Sequence, residues 1–238
     1  AGNQKHNCVV LETLKVKCWG DSVNGNLGYG DSKERGTAAG QMGDSLPEVD
    51  LGAKARNTPT AHLSVSMTHN CIILADTAAA GGDGGRKLKC WGDNSGFQLG
   101  LGDNVNRGDK AGTMGDALPA VAFAPALTPA AVSTGQTHSC ALLEGAGAAK
   151  VKCWGQGSAQ LGYSDLANRA EPPAGDIFVD LVAAPASEFD RDEVTQLRSG
   201  PLHNCALIPP CGAGREDPGA CEARYKHSGV KCWGYNSV

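Results

Sequence analysis

Apolar and polar residues alternate over short stretches of this chain, and no segment sustains the apolar spacing of a helix. The pattern is clearest at His138–Leu142. His138, Cys140 and Leu142 fall on one face of an extended strand, and Ser139 and Ala141 on the other. A second strand follows, with Val151 and Cys153 on one face and Lys152 and Trp154 on the opposite face. Between them Glu144–Lys150 is rich in glycine and predicts a hairpin turn. Cys140 and Cys153 thus stand on the two arms of one antiparallel hairpin, where opposed residues approach closely enough for a disulfide.

The unit recurs four times. Lys-Cys-Trp-Gly stands at Lys17–Gly20, Lys89–Gly92, Lys152–Gly155 and Lys231–Gly234. Each copy follows a His-x-Cys tripeptide, at His6/Cys8, His69/Cys71, His138/Cys140 and His203/Cys205. Those four cysteines are 63, 69 and 65 residues apart. After the tryptophan come Asn26-Leu27-Gly28, Gln98-Leu99-Gly100 and Gln160-Leu161-Gly162. A loop then aligns Asp31 with Asp103, Arg35 with Arg107, Met42-Gly43-Asp44 with Met114-Gly115-Asp116, and Leu46-Pro47 with Leu118-Pro119. The third copy keeps Asp165 and Arg169 and reaches Asp176 after a two-residue deletion. Such a period belongs to a propeller blade or solenoid unit rather than a short helical repeat. The expectation is an all-β chain of propeller-type blades built from antiparallel strands, about three to four in number, with disulfide-stapled hairpins. The approximate units are 1–60, 61–130, 131–195 and a partial 196–238.

His, Cys and Cys in each unit also form a conceivable zinc ligand set. Cys211 and Cys221 decide for disulfides. They lie inside the longest hairpin loop as a pair without a histidine, as a local staple would. The ten cysteines then pair as Cys8–Cys18, Cys71–Cys90, Cys140–Cys153, Cys205–Cys232 and Cys211–Cys221. Each bridge closes a short loop, worth on the order of 3 kcal/mol in the chain-entropy model. With aromatics at only 5% of the chain, the blades have few large core residues, so that contribution matters. Five bridges imply an oxidising compartment, hence an extracellular or cell-surface location. Ala1–His6 is polar and no signal peptide stands in the sequence, so the expectation is a processed precursor or a piece of a longer chain. The longest apolar stretch, Leu118–Val132, holds three prolines and does not read as a transmembrane span. A formal charge of −4 and a pI near 5.9 argue against a nucleic-acid surface. No Asn-x-Ser/Thr sequon occurs. Thr58-Pro59, Thr128-Pro129, Pro172-Pro173 and Pro209-Pro210 are candidate surroundings for O-linked glycans, or ordinary loop prolines.

His-x-Cys-x-Leu, Lys-Cys-Trp-Gly, Gly-x-x-Gln-Leu-Gly and Met-Gly-Asp-x-Leu-Pro together resemble the regulator-of-chromosome-condensation repeat, and more closely its cysteine-containing, secreted branch. The resemblance covers nearly the whole chain. It implies four-stranded blades of a β-propeller. Here three complete periods and a fourth hairpin are present, and nothing matches the residues with which the nuclear founder acts on a small GTPase or chromatin.

Candidate chemistry is thin. Arg107-Gly108-Asp109 spells an integrin-type tripeptide, but its counterpart is Arg35-Gly36-Thr37, so a turn is the simpler reading. Asp31, Asp103 and Asp165 each stand four residues before Arg35, Arg107 and Arg169. A calcium loop and an Asp–Arg pair fastening the loop both fit, and the absence of EF-hand spacing favours fastening. Gly145-x-Gly147 and Gly81–Gly85 do not lead from a strand into a helix and make poor phosphate cradles. The repeated histidines are expected to bond a neighbouring strand, and the repeated lysines to lay their stems over the indoles. Trp19, Trp91, Trp154 and Trp233 are expected in the core, between blades. The sequence therefore predicts no catalytic site and no cofactor. It predicts a non-enzymatic extracellular repeat protein, a structural or assembly subunit of a filament or surface layer, whose partners are other copies of itself or other extracellular proteins. The alternative is a secreted protein-binding propeller, an inhibitor or recognition module. The chain opens inside one hairpin unit and stops inside another, so head-to-tail assembly through repeat edges is a further expectation.

Overall fold

The structure is a computed structural model, and it describes residues 2, 5–13, 15–52, 55–56, 62–76, 85–145, 150–175, 177–181, 194–208 and 229–235. Its strands are β1 His6–Val10, β2 Val16–Gly20, β3 Ala55–Arg56, β4 Leu63–Val65, β5 His69–Asp76, β6 Arg86–Gly92, β7 Thr128–Thr134, β8 His138–Glu144, β9 Lys150–Gly155, β10 Gln196–Ser199, β11 His203–Ile208 and β12 Gly229–Gly234. Gly43–Ser45 and Gly115–Ala117 are single 3-10 turns.

The strands form four antiparallel sheets, and the chain is an all-β series of propeller-type blades. The first sheet is the hairpin β1–β2. In the second, β4 and then β3 flank one side of β5, with β6 on the other. The third and fourth are meanders, β7–β8–β9 and β10–β11–β12. Every His-x-Cys strand pairs with a Lys-Cys-Trp-Gly strand in one register. Cysteine faces cysteine, histidine faces glycine, and the middle residue of His-x-Cys faces tryptophan.

The four-stranded blade implied by the resemblance takes a reduced form. Beyond the Trp-bearing strand a loop, not a strand, fills the fourth place, and it touches that strand at two points. Arg35, Arg107 and Arg169 bridge Gly20, Gly92 and Gly155. Farther along, Val49, Val121 and Val179 donate their N–H groups to the carbonyls of Val16, Leu88 and Val151, at 2.8, 2.8 and 2.9 Å. Between those two points Gly43 and Gly115 take φ of +67° and +71°, which breaks the extended path and starts the 3-10 turn of the first two copies.

The core lies between sheets rather than within any one of them. At each of the three junctions the earlier sheet presents its cysteine face and the later sheet its tryptophan face. Cys8, Cys18, Val16 and Leu27 meet Ile72, Leu74 and Trp91. Cys71, Cys90, Leu88 and Leu99 meet Ala141, Leu143 and Trp154. Cys140, Cys153, Val151 and Leu161 meet Leu197, Ala206 and Ile208, with Trp233 at the margin. No blade can bury its apolar surface alone, which is the physical basis of a repeat array.

Candidate functional site

The repeated motifs converge at the three junctions between sheets. At the first, His6 Nε2 lies 2.8 Å from Asn70 Oδ1, and Asn70 donates to the carbonyl of Asn26 at 2.6 Å. The Trp91 indole N–H donates to that same carbonyl at 3.1 Å. At the second, His69 Nε2 meets Ser139 Oγ at 2.8 Å, and Ser139 and Trp154 both donate to the Gln98 carbonyl, at 2.8 and 3.1 Å. At the third, His138 Nε2 meets Asn204 Oδ1 at 2.9 Å, and Asn204 donates to the Gln160 carbonyl at 2.6 Å. The histidine part of the clasp is therefore built three times: a histidine reaches forward to the middle residue of the next His-x-Cys, and that residue reaches back to a corner carbonyl. At the first two junctions the next tryptophan donates to the same carbonyl, whereas the Trp233 indole N–H finds no partner among the described residues.

The glycine of Asn/Gln-Leu-Gly is needed twice over in this clasp. Gly28, Gly100 and Gly162 have φ of +76°, +71° and +77°, which only glycine adopts at little cost. A Cβ would also stand within 2.8 Å of the Trp91 ring, 2.5 Å of the Trp154 ring and 2.8 Å of the Trp233 ring.

His6, His69 and His138 are buried. Burial, which disfavours the imidazolium, lowers the pKa of each. For His69 burial, reinforced by repulsion from His138 and His6, brings it to about 3. These rings are neutral at physiological pH and join sheets by hydrogen bonds.

The repeated lysines differ from expectation. Their ammonium groups pass the indoles and bind loop carbonyls. Lys17 donates to Gly43 at 2.9 Å, Lys89 to Leu51 and Gly115 at 2.8 and 3.0 Å, and Lys152 to Pro173 and Gly175 at 2.6 and 2.7 Å. The ring under Lys152 is Phe178, at 4.7 Å from its centroid. A carbonyl is the stronger partner for a cation shielded from water, and the loop points carbonyls at the strand, those of Gly43 and Gly115 from the Met-Gly-Asp turns and those of Pro173 and Gly175 in the third copy. Burial lowers the pKa of Lys89, opposed by Asp116 and Asp50.

Each loop is pinned at its other end by an ion pair. Asp31–Arg35, Asp103–Arg107 and Asp165–Arg169 close at 2.9, 2.7 and 2.7 Å. Burial pushes the Asp31 and Asp103 carboxyls up, but the arginine hydrogen bonds, the Lys33 and Val105 backbone N–H groups and the arginine charges together more than offset it and hold both below the usual range. Arg35 and Arg169 also stack over Tyr29 and Tyr163, at 5.1 and 4.5 Å. The two phenols bond the backbones of Cys18 and Cys153, and burial pushes the Tyr163 phenol up to about 12. Among the described residues no group of three or more His, Cys, Asp and Glu is placed to hold a metal ion. Arg107-Gly108-Asp109 belongs to a junction: Arg107 is paired with Asp103, and the Gly108 carbonyl accepts the Gly30 N–H at 2.9 Å.

Among the described residues four disulfides are present, Cys8–Cys18, Cys71–Cys90, Cys140–Cys153 and Cys205–Cys232. Cys211 and Cys221 lie outside the described residues, as do Thr58-Pro59, Pro209-Pro210, Gly147 and Gly81–Gly84. Thr128-Pro129 lies in β7, and Pro172-Pro173 in the loop held by Lys152. Trp91 and Trp154 are fully buried. Trp19 and Trp233 are only half-buried, a difference from the core role expected of them. Trp19 meets no Asn/Gln-Leu-Gly corner among the described residues. Trp233 packs on Gly162 of the third repeat, but no loop beyond its own strand covers it among the described residues. The partner of each histidine, the middle residue of the next His-x-Cys, was the functional residue sequence reasoning passed over. Its signal was the run Asn7, Asn70, Ser139, Asn204: always small and hydrogen-bonding.

No family model and no curated protein matches the sequence. Solved structures do. The chain aligns with human WBSCR16 at 20% identity and a TM-score of 0.59, over 87% of this chain and 44% of that one. It aligns with yeast RCC1 (Prp20), solved bound to Kap60, at 16% identity and a TM-score of 0.53, over 87% of this chain and 40% of that one. A structure of Prp20p from Saccharomyces cerevisiae gives 16% and 0.50, over 87% and 42%. The chain spans less than half the length of these proteins. At such identities the likeness is one of fold, and it shows that the chain resembles the RCC1-type β-propeller. No helix among the described residues is long and apolar enough to cross a membrane.

Proposed function

We propose that this chain is a non-enzymatic, extracellular repeat protein that acts as a structural or assembly subunit through its blade surfaces. The observation that carries this reading is the use made of the repeated polar residues. In the first three repeats histidine clasps the next sheet, lysine holds a loop carbonyl, and aspartate and arginine close the loop. These residues build a rigid, disulfide-stapled body, and the work is left to its surfaces. Units 1–60, 61–130, 131–195 and 196–238 are the blades of that body, Cys211–Cys221 is its fifth bridge, and it needs no cofactor. Disulfides in every described hairpin support an oxidising surrounding outside the cell.

A second reading, a secreted recognition propeller, is favoured by exposed apolar residues. Val105, Leu166, Leu202 and Tyr235 all lie at the end of the sheets where the His-x-Cys strands begin.

Alkylation of the unreduced native protein, mass spectrometry and light scattering test the proposal together. The expected result is ten oxidised cysteines in five local pairs and a particle larger than one chain. Free thiols or stoichiometric zinc at the His-x-Cys positions would overturn it. A monomer held one-to-one by a different protein, and released by Leu166→Asp, would establish the second reading instead.

A further inference from the structure

Asn24-Gly25 is the only Asn-Gly pair in the sequence, and the same place holds Gly96-Phe97 and Ser158-Ala159 in the next two repeats. An asparagine before glycine is open to attack on its own side chain, because no Cβ shields the backbone nitrogen that follows. Asn24 is exposed, and among the described residues its side-chain amide has no hydrogen-bond partner. Asn24 and Gly25 take φ of +55° and +81°, and the Asn26 N–H closes their turn on the Val23 carbonyl at 3.2 Å. Gly25 is wedged into the first junction. A Cβ on it would stand 2.3 Å from the Asp109 nitrogen, 2.5 Å from the Gly108 carbonyl carbon and 2.7 Å from the Arg107 oxygen. The next residue, Asn26, is the corner of the clasp: its amide meets His6, and its carbonyl accepts from Asn70 and Trp91.

We infer that Asn24 is a self-modification site whose product unlatches the first junction. The Gly25 backbone nitrogen bonds to the Asn24 side-chain carbonyl carbon. The bond from that carbon to the amide nitrogen breaks, and ammonia leaves with the proton of the Gly25 N–H. Water then opens the cyclic imide, its hydroxyl going to a carbonyl carbon and its proton to the nitrogen. Opening at the backbone carbonyl routes the chain through the former side chain as isoaspartate. The main chain gains a carbon there, and a carboxylate is left free. Where a Cβ has no room, that extra carbon displaces Gly25 and with it the Asn26 corner. Ring closure requires Asn24 to leave the left-handed conformation of the turn, so the packed Gly25 holds the reaction back until the junction loosens. A passing opening is thereby made permanent.

Incubation of the native 238-residue chain at mildly alkaline pH, followed by peptide mapping in a mass spectrometer, tests it. The expected result is an amide-to-acid mass increase at Asn24, most of it isoaspartate that an aspartyl-specific protease does not cleave. The chain unfolded in urea should convert at least about tenfold faster, and Asn24→Gln should stay unmodified over the same period. The purified isoaspartyl form should unfold at a lower urea concentration than the unconverted protein. A freshly made Asn24→Asp variant gains the charge without the extra carbon and should keep the wild-type midpoint. An Asn24 left intact in the native chain overturns the site. Equal rates in folded and unfolded chains overturn the control by the junction, and an isoaspartyl form with the wild-type midpoint overturns the unlatching.

Discussion

Val151 and Val230 hold the same place in the third and fourth sheets, two residues before the second half-cystine, yet one is 1% exposed and the other 66%. His138 is buried where His203 is exposed, and Cys153 is buried where Cys232 is exposed. The residues on the two faces are nearly the same, and so is the strand register. What differs is the neighbour. The third sheet has Leu197, Ala206 and Ile208 laid against it, and the fourth has no such cover among the described residues. In this architecture burial is a property of the junction, not of the residue, and the two faces measure what a junction contributes.

The largest expected contrast is between tryptophans. Trp154→Ala should destabilise by about 3–5 kcal/mol in urea unfolding, because it empties the second junction and leaves the Gln98 carbonyl short of a donor. Trp233→Ala, at a half-buried site, should cost less than about half of that. Equal losses would break the comparison.

Acid sharpens it from another side. His69 has a folded pKa near 3 against about 6.5 when unfolded, so as pH falls below 6.5 the unfolded chain takes up a proton that the folded one refuses. Stability is full above that value and falls as pH drops toward 3. His69 alone should account for a loss of about 2 kcal/mol between pH 7 and pH 5, with His6 and His138 acting in the same direction. Denaturant midpoints across that range are the measurement. His69→Gln should flatten the acid limb.

Smaller effects follow. Val151→Ala should cost between about 1 and 2 kcal/mol, the transfer of two buried carbons, and Val230→Ala in dilute solution less than about 0.5 kcal/mol. Under mild thiol reductant, the exposed Cys205–Cys232 bridge should open about tenfold faster than Cys140–Cys153, whose sulfurs are buried. Timed alkylation with peptide mapping reads both rates. If the inner bridge opened first, the junctions would have to breathe more than their packing allows.

Much of this was legible in the residues. The spacing of His-x-Cys and Lys-Cys-Trp-Gly contains the hairpin, because a two-residue period fixes which side chains share a face and hence which cysteines meet. Asp31, Asp103 and Asp165 lie four residues before an arginine, within reach along a tight loop, and the pairs close there. What the repeat could not reveal is anything that depends on two repeats at once. His6 touches Asn70, sixty-four positions on, and only the stacking of sheets brings them together. Trp19 and Trp154 look alike in sequence, because a tryptophan carries no mark of whether a Leu-Gly corner precedes it in space. Lys89 shares a face with Trp91, but its length takes the charge past the ring to carbonyls the linear pattern does not display.

The four described bridges all lie within single sheets and span 10, 19, 13 and 27 residues. None links one sheet to another. A chain stretched from its two ends would therefore come apart at the clasps, sheet by sheet, while every hairpin stayed knotted shut. The contour inside each bridge is length that force cannot reach. For Cys205–Cys232 it is about 90 Å of extended chain. Only a reductant would release it, so under oxidising conditions a pulled molecule lengthens by short, repeated steps and recoils from a partly closed state.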